Sequence, residues 1–268
     1  MIRLIRTCHA SVAGESGSNE DSCGVGSLNH GRKKYSLLAI ADGLGGLPAG
    51  EVASSTAIGT LHEAVDLNIR LCRDLDPEDL EGLLRTGFEW ANRAVIREGK
   101  RILQDQRMGT TLIAALLSET GEGAVAHIGD SRAYLIGETV TKLTRDHSEV
   151  QDLIDAGEFP PEFSREFLRT HPRKNRLNRM IGSEDVLPDI ARFTLGTTRL
   201  LLCSDGLVEG LTDDEIRDIG ANAPFGAVCR DLVAAARRKS NDDITVVVAE
   251  KKGAREDHHC PGYRPPLF

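Results

Sequence analysis

Five times in this chain an acidic residue stands at the end of a strand-like run beside a turn former. The sites are Asn19-Glu20-Asp21, Asp42-Gly43, Gly129-Asp130, Asp205-Gly206 and Asn241-Asp242. Each alone reads as an ordinary turn, because Asp and Asn hydrogen-bond their own backbone there. Together they constrain the fold, since strand ends of one sheet system can converge on one edge. Carboxylates gathered in one place repel, and they protonate or splay apart unless a cation neutralises them. An oxygen-only cluster suits hard divalent ions, magnesium or manganese, in octahedral shells completed by water. Two such ions about 3.5–4 Å apart can hold a shared hydroxide and a phosphoryl oxygen, a route to phosphate-ester hydrolysis. No H-E-x-x-H pattern or His/Cys cluster points to zinc.

The apolar pattern around these acids changes along the chain. Residues 2–12 read as a strand, and residues 35–41 form a short apolar run that stops at Asp42. Residues 49–71 and 77–103 carry helical spacing, with Pro77 where helices favour proline. From Gly109 the period becomes two, over 111–117, 123–128, 132–136 and 140–143, which predicts a meandering antiparallel sheet. Residues 146–157 and 162–168 predict short helices, followed by a basic, loop-like stretch that is the best candidate for an inserted lid. Strands at 190–195, 199–203 and 244–249 and helices at 213–220 and 227–239 complete the pattern. Without regular βαβ alternation, this order predicts an α+β layered domain.

With 268 residues, 40% of them apolar and 28% charged, the chain can bury a sizeable core in one large domain. Residues 253–268 have Pro, Gly and charge but no period, so a disordered or loosely docked tail is expected after a domain over 1–252. The net charge of −8 argues against a general nucleic-acid or membrane-surface binder. No apolar run has the length of a membrane span, and the first residues lack a signal-peptide core, so a cytoplasmic protein is expected. Six cysteines without a C-x-x-C pair predict reduced thiols.

Seven blocks now carry a resemblance. They are Asn19-Glu20-Asp21, Ala41 to Gly46 (ADGLGG), Met108 to Thr111 (MGTT), His127 to Arg132 (HIGDSR), Leu143 to Ser148 (LTRDHS), Ser204 to Leu207 (SDGL) and Asn241 to Thr245 (NDDIT). In order and rough spacing they resemble the metal-dependent Ser/Thr protein phosphatases of type 2C, bacterial type, over about residues 4–250. The resemblance implies an antiparallel β-sandwich flanked by helices on both faces, with a dinuclear Mn²⁺ or Mg²⁺ centre at one end. Asp42 matches the aspartate that bridges both metals, and Gly43 the residue whose carbonyl completes one shell. Asp205 and Asp242 match ligands of the second metal, and Glu20 and Asp21 match acids that hold metal-bound waters. Asp130 matches the aspartate that forms a weaker third site with Asp205. Catalysis is expected to depend on Asp42, Asp21 and Asp205, beside a flap over about 148–175. Phosphorylated Ser/Thr proteins as substrates, an opposing Ser/Thr kinase and a monomeric enzyme follow from the same resemblance.

Two positions depart from it. Ser16 stands where bacterial members carry a phosphate-binding arginine. Serine cannot reproduce the two parallel charge-assisted bonds of a guanidinium, each worth about 1.5–3 kcal/mol. Arg145, Arg173 and Arg176 are candidate substitutes. Leu44 stands where many eukaryotic members have histidine, which weakens any claim for a histidine general acid. These departures motivate a rival reading, a catalytically impaired module that docks phosphoproteins. A small-phosphoester hydrolase is a third, disfavoured because the missing arginine hurts small substrates most. His127 and His147 read as structural, Trp90 as core, and His258-His259-Cys260 as part of the tail.

Overall fold

Alternate residues of one strand, Lys33–Asp42, bury opposite sides: Leu37, Ala39 and Ala41 join one apolar cluster, Leu38 and Ile40 another. A strand covered on both faces needs a layer on each side, which is why residues 35–41 read as an unbroken apolar run. The computed structural model describes residues 5–45, 47, 49–73, 75–104, 106–158 and 171–252. The expected helix over 162–168 and the tail from 253 lie outside the described residues.

In chain order the elements are β1 (Ile5–Val12), β2 (Asp21–His30), β3 (Lys33–Asp42), α1 (Gly50–Leu71), α2 (Asp79–Leu103), β4 (Leu112–Ser118), β5 (Glu122–Ile128) and β6 (Arg132–Ile136). There follow β7 (Val140–Lys142), α3 (Glu149–Asp155), β8 (Asp189–Thr194), β9 (Arg199–Cys203), α4 (Asp205–Gly210), α5 (Asp213–Asn222), α6 (Phe225–Ala236) and β10 (Ile244–Lys251). The strands form two antiparallel sheets, ordered β1-β10-β9-β6-β7 and β2-β3-β4-β5-β8. Between them pack Leu38, Ile40 and Ile113 against Leu200, Leu202 and Val247. Leu61, Val65, Leu84 and Phe88 of α1 and α2 cover the outer face of the second sheet. Leu207, Ile216, Val228 and Leu232 of α4 to α6 cover that of the first. The result is the expected α+β sandwich with helices on both faces.

Three expectations are corrected. The strands from Gly109 do not meander within one sheet: β5 pairs with β4 and β8, whereas β6 pairs with β7 and β9. The chain therefore crosses between sheets at residues 129–131, because both inner faces need strands to close the core. Trp90 is 41% exposed rather than core. On α2 the inward positions are Leu84, Phe88 and Ala91, and a residue two places from Phe88 lies on the opposite side of a 3.6-residue turn. Cys8 and Cys229 are paired as a disulfide, since β1 packs against α6 and brings the two side chains together. Cys23, Cys72 and Cys203 are free thiols, as expected. No helix among the described residues is long and apolar enough to cross a membrane.

Candidate metal centre

The acids meet at one end of the sandwich because each stands where the chain enters or leaves a strand. Asp21 opens β2, Asp42 closes β3, and the two are register partners. Asp130 stands in the crossing from β5 to β6, Asp205 follows β9 and opens α4, and Asp242 precedes β10. Glu20, Asp42, Asp130, Asp205 and Asp242 line a cavity of about 500 Å³, together with Gly43. Of the residues singled out from sequence as site acids, all six are gathered here, Asp21 lying buried behind Asp42.

Neutral groups fix the backbone of Asp42 and the carboxylate of Asp21. The Thr111 N–H donates to the Asp42 carbonyl at 2.8 Å, and the Asp42 N–H donates to Thr111 Oγ1 at 3.0 Å. Thr110 Oγ1 donates to the same carbonyl at 2.8 Å. Ser204 Oγ donates to Asp21 Oδ2 at 2.9 Å and accepts the Thr245 N–H at 2.9 Å. Gly43 is required by space: a Cβ there would stand 2.5 Å from the Gly50 carbonyl. Asp243, which sequence reading passed over in favour of Asp242, accepts the Gly14 N–H on one oxygen and the Glu20 N–H on the other, both at 2.6 Å.

Burial and mutual repulsion dominate the electrostatics. Burial pushes Asp21 up to about 7, with Asp205 and Asp243 adding to the rise and the Ser204 and Thr245 hydroxyls opposing it. Burial and then Asp242 push Asp205 up to about 6. Asp42 is driven well above the carboxylate range by burial, then by Asp21, Asp205, Asp130 and Asp242. Burial and Asp205 do the same to Asp130, and burial with Glu51 raises Glu20. Asp21 Oδ1 is buried without a hydrogen-bond partner. Buried acceptors of that kind are rare, and an oxygen-only donor set with an orphaned carboxylate oxygen fits a hard divalent cation.

The candidate phosphate-binding cations are placed elsewhere. Ser16 is exposed, its hydroxyl donating to the Ser18 carbonyl at 2.9 Å. Arg145 pairs with Asp152 and Asp155, and Arg173 and Arg176 pair with Glu149, so all three serve α3. The cations that line a narrower recess beside Asp130 and Asp205 are Arg132 and Lys174. Arg132 is committed to a buried pair with Asp146, its Nε 3.0 Å from both oxygens. Lys174 pairs with Glu209, whose carboxylate lies within 4.8 Å of ligand atoms of Asp205 and Asp242. Sequence reading missed Glu209, although its signal was present: it follows Asp205 by four residues on α4, the spacing that stacks side chains on one helix face.

The protein phosphatase 2C family model matches residues 10–243. The chain belongs to that family. It is 36% identical over 205 residues to the serine/threonine phosphatase stp of Listeria welshimeri, covering 75% of this chain and 77% of the relative. The structure of Stp1 from Staphylococcus aureus superposes with a TM-score of 0.80 at 28% identity, covering 94% of this chain and 98% of that one. The catalytic domain of PstP, solved in complex with 2 manganese ions, gives 0.75 at 31% identity, covering 92% and 98%. As a type 2C protein phosphatase, this enzyme is a divalent-metal-dependent hydrolase, and the fold expected from its sequence motifs is the fold of its structural neighbours.

Proposed function

We propose that this serine/threonine protein phosphatase hydrolyses phosphoserine and phosphothreonine of proteins at a pair of manganese or magnesium ions held by the strand-end acids. The observation that carries the reading is the convergence of Asp21, which is buried, with the half-buried Asp42, Asp130 and Asp205, all four driven toward protonation. Divalent ions held there would relieve that repulsion, and the chemistry they would supply is an acidified water and positive charge for the phosphoryl oxygens. Asp42, which feels Asp21, Asp205, Asp130 and Asp242, would hold metal at the centre of the cluster. Asp205 and Asp242 would hold the second, with the Gly43 carbonyl completing a shell and Glu20 and Asp21 orienting waters. Asp130 with Asp205 would form a weaker third site.

The substrate side follows from the remaining lining. Lys174 is the lining cation outside the buried Arg132–Asp146 pair, so it would meet the phosphate. Asn175, Leu177 and Met180, on the return of the flap over about 148–175, face the cavity and would contact the protein substrate. Such an enzyme reverses a Ser/Thr protein kinase, which must supply its substrate. The rival reading, a phosphoprotein-docking module without catalysis, has no use for a complete acid set, and that set argues against it.

Release of phosphate from a phosphothreonine peptide with Mn²⁺, Mg²⁺ or EDTA, wild type beside Asp205→Asn, tests this. Activity that needs metal and is lost in the variant is expected. Inactive wild-type protein that still binds Mn²⁺ and the peptide would favour the docking module.

A further inference from the structure

His147 is 1% exposed and touches no acid of the metal centre in any hydrogen bond among the described residues, yet it grips the residue before one of them. Its N–H donates to the Gly129 carbonyl at 3.0 Å, and its ring Nδ1 accepts the Gly129 N–H at 3.2 Å. One side chain and its own backbone thus close both polar groups of a single glycine. On the other side Gly129 is pressed against Thr111: a Cβ there would lie 2.7 Å from Thr111 Cβ, and its φ of 105° is one that only glycine adopts readily. Thr111 Oγ1 in turn bonds the Ser131 hydroxyl at 2.8 Å. The crossing that carries Asp130 is therefore held from below by Thr111 and from above by His147.

The imidazole is itself fixed. Its ring stacks on His127 with centroids 4.5 Å apart, and His127 Nε2 donates to the Arg145 carbonyl at 2.7 Å. With Nδ1 accepting, the His147 proton sits on Nε2, which lies 3.3 Å from the Asp189 carboxylate without making a hydrogen bond among the described residues, and Asp189 itself binds Arg179. Burial keeps the ring neutral, pushing it down to about 4. The His147 carbonyl accepts the Asn178 N–H at 3.0 Å, so the same residue anchors the return of the flap.

We infer that His147 is a positioning residue: it fixes Gly129 and thereby aims the Asp130 carboxylate at the weaker metal site. The inference rests on the proposed reading in giving Asp130 a metal. Outer partners that orient a ligand commonly change metal affinity by about 10- to 100-fold when removed.

Two isosteres test it. Asn places an amide oxygen where Nδ1 lies and keeps the acceptor for Gly129, whereas Gln places its amide near Nε2 and loses it. The readouts are Mn²⁺ titration of the intact protein by calorimetry, with Asp130→Asn marking the weaker event, and hydrogen exchange of the Gly129 amide. His147→Gln is expected to weaken that event about 10-fold and to speed Gly129 exchange, with His147→Asn close to wild type in both. Equal weakening in the two variants, or no weakening in either, overturns the inference. Fast Gly129 exchange in the wild type overturns it even where His147→Gln does not fold. A weaker event that persists in Asp130→Asn contradicts the metal role of Asp130 instead, and the exchange data then judge the clamp by itself.

Discussion

Asp21 and Asp42 are directly opposite one another in the register of β2 and β3, a buried and a half-buried carboxyl group at the same end of the sandwich. Antiparallel pairing of that kind puts side chains of opposed residues on the same face. Like charges there cost stability unless a proton or a cation intervenes.

The pH dependence of the metal-free protein follows. Asp21 and Asp205, raised to about 7 and about 6, are protonated more readily folded than unfolded. Their contribution to stability is fully present below the ordinary carboxylate value and is lost as pH rises through about 6 to 7. His147, lowered to about 4, acts in the opposite sense, adding stability as pH rises from about 4 to 6.5. The two acids outweigh the one histidine, so net stability falls from about pH 4 to about pH 7. In EDTA the melting temperature should fall across that window, and in Mn²⁺ the fall should shrink or vanish. Asp21→Asn should flatten the EDTA curve. An EDTA curve already flat in the wild type would contradict the raised values.

Substrate phosphate contacts can be separated from the metal. Ser16→Arg restores a guanidinium near the site and should lower KM for an aryl phosphate about 10-fold with kcat little changed. Lys174→Met should raise KM several-fold, since one charged partner is lost. No change in Lys174→Met would mean that its pairing with Glu209 is its whole role.

Asp243 should matter as a brace. Asp243→Ala removes acceptors from the Gly14 and Glu20 amides and should cost about 2–4 kcal/mol in urea unfolding, because both bonds are charge-assisted. Asp243→Asn keeps one acceptor and should lose about half as much. Equal loss in the two would assign the effect to charge rather than to the two bonds.

Arg132 and Asp146 form a buried pair close to the recess, with side chains 10% and 3% exposed. Removing one partner leaves an uncompensated charge and should cost about 3–5 kcal/mol. The double variant Arg132→Met, Asp146→Leu should recover part of that loss, which a double-mutant cycle by thermal unfolding measures.

The acids were legible because turn-forming Asp and Asn mark strand ends, and strand ends on one side of a sandwich must lie together. β2 was not legible as a strand: Gly24 and Gly26 interrupt its apolar pattern. Structure supplies the reason, since α1 packs so closely that a Cβ at Gly26 would overlap the His62 ring. The crossing at residues 129–131 was hidden as well, because period two identifies a strand and says nothing of its sheet. Asp242 and Asp243 are adjacent, chemically identical and both line the cavity, and only the Gly14 and Glu20 amides show that Asp243 is the one committed to the backbone. Lys174 lay within a run of basic residues, and which of them faced the acids depended on α3, whose carboxylates claim Arg145, Arg173 and Arg176.

Anomalous diffraction at the manganese edge from crystals grown with Mn²⁺ tests the central claim most directly. Two strong peaks sharing Asp42, one of them also beside Asp205 and Asp242, are expected. Manganese bound away from Asp42, or a single ion that leaves Asp205 and Asp242 without metal, would contradict a two-metal phosphatase centre.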